Sequence, residues 1–391
     1  MSKKLLLLIL CGVLFVAPVM AQDDPSTIFA WLLNGELWIA DETHAEQPLA
    51  LNTILHASLS PDRTMLAYVT AGTYPPPELI IMDVRDNTLV QHLSSTIFAS
   101  PEGVTIEFSA PVWGGNEAVL FNTVEVYGGL SGAHNRYDVQ RLDVQDGSWT
   151  ELLPAGEGGD MVPSPDDQWV AIRQAGRYGP PNEAGFVQII SAATGDPLTE
   201  RFMFPAVATA SEIVWLPSVH WDAASNELLW AIPDPDAVYL LDDAPPAQLC
   251  RFKLGSDMTC SALAIAYPAD VVVNPDLTQV AYLYQRQLLW GPLDGERQSI
   301  EVDGLPIAWL DDATLIYQRY TEGAGLYRAD THTLWEPTGQ PVINMQALED
   351  GRWLLAVGNY TALTIGLFDP ANTTFNAITA LSGGYPIFAE R

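Results

Sequence analysis

Five short segments of this chain set tyrosine beside glycine, proline or threonine: Gly72-Thr73-Tyr74-Pro75-Pro76-Pro77, Tyr127-Gly128-Gly129, Arg177-Tyr178-Gly179-Pro180-Pro181, Tyr320-Thr321-Glu322-Gly323 and Asn359-Tyr360-Thr361. Arg136, Arg177 and Arg319 fall in or near them, in a chain with 17 cations in all. Tyrosine and arginine concentrate binding energy at interfaces, one as a rigid amphipathic ring and the other as a planar charge. The chemistry these segments point to is recognition. The expected binding residues are therefore Tyr74, Tyr127, Arg136, Arg177, Tyr178, Arg319, Tyr320 and Tyr360.

Patterns for covalent or metal chemistry are weaker. Gly129-Leu130-Ser131-Gly132-Ala133 approaches a nucleophile elbow, but it lacks the final glycine and the strand-to-helix setting. His134 follows closely, with no assignable acid to orient it. The histidines, at 44, 56, 92, 134, 220 and 332, show no metal-ligand spacing, so no metal and no cofactor is expected. Asp234-Pro235-Asp236 and Asp242-Asp243 offer oxygen ligands to calcium, but not in the order of an EF-hand loop, and read as solvated turns. No catalytic residue is assigned. The rival reading is a carbohydrate-active lyase or hydrolase, or a glycan-binding protein, with its site in a central funnel.

The chain has 391 residues, 48% of them hydrophobic and 17% charged, which is the composition of a folded protein and not a disordered one. Its net charge of −31 argues against nucleic acid, which is bound by clustered cations that displace counterions. The same charge argues against anionic membranes and makes copies repel, so a soluble monomer is expected.

Residues 1–21 have the three parts of a secretory signal: Lys3-Lys4, an apolar run from Leu5 to Met20, and Val19-Met20-Ala21 at the cleavage site. A secreted or periplasmic location follows, with a retained anchor as the alternative and no membrane insertion of the mature chain. Residues 22–391 then form a single domain. Cys250 and Cys260 remain after the leader, ten positions apart across Gly255-Ser256-Asp257, which reads as a hairpin turn. In an exported chain this pair predicts one disulfide.

The elements that must carry these residues are written in turns. Ser60-Pro61-Asp62 precedes Met65-Leu66-Ala67-Tyr68-Val69, Ser164-Pro165-Asp166 precedes Trp169-Val170-Ala171-Ile172, and Asn274-Pro275-Asp276 precedes Val280-Ala281-Tyr282-Leu283-Tyr284. Weaker copies start at Trp113-Gly114-Gly115-Asn116, Trp221-Asp222, Trp309-Leu310-Asp311-Asp312 and Glu349-Asp350-Gly351. Successive turns lie 35 to 57 residues apart, about 48 on average. Proline pre-sets its own φ, Asp and Asn bond back to nearby amides, and the β-branched and aromatic residues that follow suit a strand. Four strands per repeat of this size is a propeller blade.

The phrase resembles the repeat of TolB-type, WD-like bacterial β-propellers, whose blades carry Ser-Pro-Asp-Gly before a Leu-Ala-Phe-like strand. The best copies are at 58–69, 162–172 and 272–284, and the resemblance covers nearly all of the chain beyond the leader. Arg63, Asp167 and Leu277 stand where the family has glycine, and the fourth copy has lost its Pro-Asp pair. The resemblance implies an all-β propeller and a protein or peptide partner in the envelope or outside the cell. Strands at 28–32, 36–39 and 48–51 together with one at 385–389 would complete a last blade and close the ring. Eight four-stranded blades are expected, and seven with an extra hairpin are the alternative.

Overall fold

The computed structural model describes residues 27–42, 54–72, 76–127, 132–176, 183–206, 208–210, 213–214, 216–232, 247–263, 271–284, 287–301, 304–311, 313–319, 325–348, 350–382 and 384–389. Among these the chain is all β, with one 3-10 turn at Ser95–Ile97 as its helical element. Four-stranded antiparallel sheets follow one another at 54–94, 112–153, 160–204, 219–263, 272–301 and 342–381, each with its strands in chain order. A three-stranded sheet spans 304–328, extended by a bridge between Tyr327 and Leu334. Phe29–Leu33 pairs with Glu36–Ala40 on one side and with Ile387–Phe388 on the other, so strands from both ends of the chain share one sheet. The leader and the strand expected at 48–51 lie outside the described residues, and the strand expected at 385–389 is limited to 387–388.

The recurrent turn is built as its chemistry requires. Ser60 Oγ donates to Asp62 Oδ1 at 2.7 Å and accepts from the Met65 amide at 2.9 Å, while the Thr64 amide and hydroxyl both donate to Asp62. Ser164 and Asp166 repeat the arrangement, at 2.6 Å between them and 3.1 Å from the Trp169 amide. Asp222, without a Pro-Asp pair, accepts the Asn226 and Glu227 amides at 2.7 and 2.8 Å and closes the same turn. The next-to-last turn residue is left-handed in the three best copies and in the Asp222 turn: Arg63, Asp167, Leu277 and Ser225 have φ of 55°, 60°, 55° and 58°. Side chains other than glycine cost about 1 kcal/mol or more there. Two of the residues recover it elsewhere: Leu277 is 1% exposed in the core, and Arg63 Nη1 reaches the Ile28 carbonyl at 2.9 Å.

The core lies between sheets. Each buried apolar cluster draws on two neighbouring sheets, as when Ala171, Val187 and Phe204 pack on Trp221, Leu228 and Trp230. Such clusters join every consecutive pair from the 29–40 sheet to the 342–381 sheet. A further one joins the 342–381 sheet to Phe29, Trp31 and Phe388. Tryptophan serves these contacts twice, by area and by its N–H. Nε1 of Trp113, Trp221 and Trp309 donates to Ser58 O, Val162 O and Val272 O, at 2.9, 3.0 and 3.3 Å, each acceptor lying on the first strand of the preceding sheet.

One sheet carries an addition. Ala118–Phe121 continues past Asn122 into a second strand, Thr123–Tyr127, which pairs with Val104–Phe108 and Ala133–Asn135 in a separate three-stranded sheet. Fully buried Asp138 fixes the departure point, accepting the Thr123 amide at 2.7 Å and the Thr123 hydroxyl at 2.5 Å. Tyr127 therefore ends a strand, as Arg319 does at the end of Leu315–Arg319, where loops were expected. In both cases the strand continues to the last described residue before the segment outside the description.

Candidate binding surface

Four of the eight expected residues, Tyr74, Arg177, Tyr178 and Tyr320, lie outside the described residues, and so does Ser131. The other four occupy three separate places. In the added sheet, Tyr127 pairs through Glu125 with Arg136. The Tyr127 hydroxyl donates to Glu125 Oε2 at 2.5 Å, and Arg136 Nε stands 4.0 Å from Glu125 Oε1. The His134 ring meets the Tyr127 ring edge-on, with centroids 5.3 Å apart, because register sets Glu125 opposite His134 and Val126 opposite Ala133. The bond to Glu125 raises the Tyr127 pKa, so the hydroxyl stays a donor.

Arg319 lies over the Tyr327 ring at 5.1 Å, and that ring stacks on buried Tyr317 at 5.6 Å. This is an aromatic shelf under a cation, and it uses the Arg319 charge within its own sheet. Tyr360 is 65% exposed and stacks on Tyr385, itself 48% exposed, at 6.4 Å. The Gly384 amide donates to the Tyr360 carbonyl at 3.1 Å and holds the two together. Among the described residues, the structure brings Tyr127 and Arg136 together and leaves Arg319 and Tyr360 in sites of their own.

Glu125, His134 and Tyr385 were not among the expected binding residues. Glu125 and His134 alternate with apolar neighbours on paired strands, a signal present in Thr-Val-Glu-Val-Tyr once that run is read as a strand. Tyr385 follows Gly383-Gly384, the same glycine–tyrosine grouping as the other segments. Among the described residues no group of three or more His, Cys, Asp and Glu side chains could hold a metal, and the aspartates at 234, 236, 242 and 243 lie outside them. No helix among the described residues is long and apolar enough to cross a membrane. Cys250 and Cys260 are bonded, facing each other in register across Ala247–Lys253 and Thr259–Leu263.

No family model matches the chain, and no curated protein matches it. Solved structures do. A structure of the eukaryotic initiation factor aligns over 92% of this chain and 85% of its own, at 12% identity and a TM-score of 0.51. The β-propeller domain of the Trilobed protease from Pyrococcus furiosus aligns over 85% of this chain and 95% of its own, at 11% identity and a TM-score of 0.49. TolB from Acinetobacter baumannii aligns over 70% of this chain and 63% of its own, at 15% identity and a TM-score of 0.34. Likeness at these identities concerns the fold alone. Propellers, TolB among them, are neighbours of this chain, and its run of four-stranded antiparallel sheets supports a propeller fold.

Proposed function

We propose that this chain is an exported, non-catalytic propeller of eight blades that holds a protein or peptide partner on the face carrying Tyr127 and Arg136. The observation that carries the reading is the added three-stranded sheet. A four-stranded blade has no need of it, yet it sets Tyr127, His134 and Arg136 around Glu125. Supporting the ring, apolar clusters run from each sheet to the next and return from the 342–381 sheet to Phe29 and Trp31. Pairing of Ile387–Phe388 with Phe29–Leu33 supports closure by strands from the two ends of the chain. The basic and apolar start of the sequence supports export to the periplasm or beyond, and a disulfide accords with an oxidising compartment.

The test is partner capture from the native envelope fraction by wild type and by Tyr127→Ala combined with Arg136→Ala. Aromatic and arginine anchors are worth about 2 kcal/mol or more each, so capture should weaken by roughly a hundredfold or more with the melting temperature nearly unchanged. Asp166→Ala, in the turn at the opposite end of its blade, is the control and should capture normally. Normal capture by the double variant, or its unfolding, would make this surface structural.

A further inference from the structure

The first strands of four successive sheets enclose a cleft of about 510 Å³ lined in part by Val112, Met161, Val162, Val219 and Trp221. That is within the roughly 300–1,000 Å³ common for small-ligand sites. Two ionisable side chains line it, Arg173 and His220. Arg173 Nη1 donates to the Pro217 carbonyl at 2.8 Å, while its buried Nε has no partner. Arg141, Arg297 and Arg319 also leave Nε unpartnered, but each has a counter-group: Asp143 at 3.3 Å, the Tyr282 ring and the Tyr327 ring respectively. Arg173 has a more distant counter-charge: Asp160 is opposite it in register and acts on it electrostatically, with no ion pair within 4.0 Å joining them. Burial raises the Asp160 carboxyl and lowers Arg173.

His220 adds no second charge. Its Nε2 lies 3.1 Å from the Val271 carbonyl and must carry the hydrogen, so Nδ1 has the lone pair. Burial pushes its pKa down to about 4, although the residue is only half-buried and lines the cleft. At neutral pH the lining is apolar over its larger part, with Ser164 and Asn274 as its neutral polar side chains besides His220, and its one charge is a guanidinium with donors to spare. A guanidinium suits a carboxylate, which it can meet with two parallel N–H bonds. The overall charge of −31 opposes a bare small anion, so the ligand needs an apolar body to supply the rest of its affinity.

We propose that this cleft binds an apolar monocarboxylate, the carboxylate on Arg173 and the apolar body against Val162, Val219 and Trp221. The site is separate from the Tyr127 surface and does not rest on it. A peptide with a free carboxyl end and a fatty acid share this chemistry, so two probe pairs distinguish them: N-acetyl-Leu-Leu with its C-terminal amide, and hexanoate with hexanamide. Titration calorimetry of the full exported protein should show at least one acid bound roughly tenfold or more above its amide, since a charge-assisted bond is lost in the amide. Arg173→Met should abolish that preference and Arg173→Lys should keep part of it, with melting curves checking the fold. The ¹³C-methyl resonance of Met161, assigned through Met161→Leu, should shift with the bound acid, which locates the ligand without relying on the arginine variants. A preference in one pair alone supports the site and assigns its source. Equal binding of acid and amide, binding that leaves Met161 unmoved, or no saturable binding of any probe overturns the proposal.

Discussion

Replacing Phe388 by alanine tests whether the strand near the C-terminus is built into the core or merely rests on it. Phe388 is 5% exposed and packs in one cluster with Phe29, Trp31, Leu354, Ala356 and Ile365, residues from two different sheets. Its neighbour Ile387 is 57% exposed on the opposite face. The strand is also held by polar bonds: Ala389 N to Ala30 O at 2.9 Å, Asn344 Nδ2 to Pro386 O at 2.9 Å, and Gln346 Nε2 to Ala389 O at 3.1 Å. Removing a buried phenyl costs about 3–5 kcal/mol, from lost transfer energy and the cavity left behind. Ile387→Ala removes surface already in water and should cost under about 1 kcal/mol. Equilibrium urea denaturation followed by fluorescence and circular dichroism would read both as shifts in midpoint at constant slope. Deleting residues 384–391 should exceed Phe388→Ala, because the three polar bonds go too. Equal effects of Phe388→Ala and Ile387→Ala, or a cost below 1 kcal/mol for the former, would refute the docking of this strand.

Two further outcomes follow from the contacts between sheets. Trp221→Phe keeps a ring in place but leaves the Val162 carbonyl without its 3.0 Å donor, and should cost about 1–3 kcal/mol in the same urea assay; a loss under about 0.5 kcal/mol would mean the bond contributes nothing net. His220, with its pKa pushed down to about 4 from 6.5, binds its proton less readily folded than unfolded, so its contribution is complete above pH 6.5 and lost as pH falls toward 4. That loss should be on the order of 2–3 kcal/mol and largely absent in His220→Gln, with a remainder from His56, whose pKa burial also lowers. Parallel pH profiles for wild type and His220→Gln would remove His220 from the account.

What the sequence disclosed and what it hid divide along a physical line. Turns are local: Ser and Asp side chains bond to amides two to five residues away and Pro presets its own φ, so Ser60-Pro61-Asp62 and Ser164-Pro165-Asp166 could be recognised without any tertiary knowledge, and the strands after them stand where the alternation put them. The pairing of Cys250 with Cys260 was legible for the same reason, since one hairpin joins them. Even the departures from glycine make sense only afterwards, because Arg63 is anchored on the Ile28 carbonyl, 35 positions away and just before the strand of another sheet. The added sheet was missed because it needs Val104–Phe108 to pair with Thr123–Tyr127, and nothing in either segment names the other. The tyrosine segments suffered in the same way. Their composition located binding residue types, but whether a ring faces a partner, a carboxylate or another ring depends on neighbours: Tyr127 found Glu125 within its own strand, whereas Tyr360 found Tyr385 from beyond two intervening strands. Arg173 is the extreme case. Nothing around it in sequence marks it, and its interest comes wholly from the Pro217 carbonyl just before the next sheet and from Val219 and His220, which line the cleft with it. A cleft assembled from the first strands of separate sheets has no local signature, so here turns and loops advertise themselves and the cleft must be read from the packing.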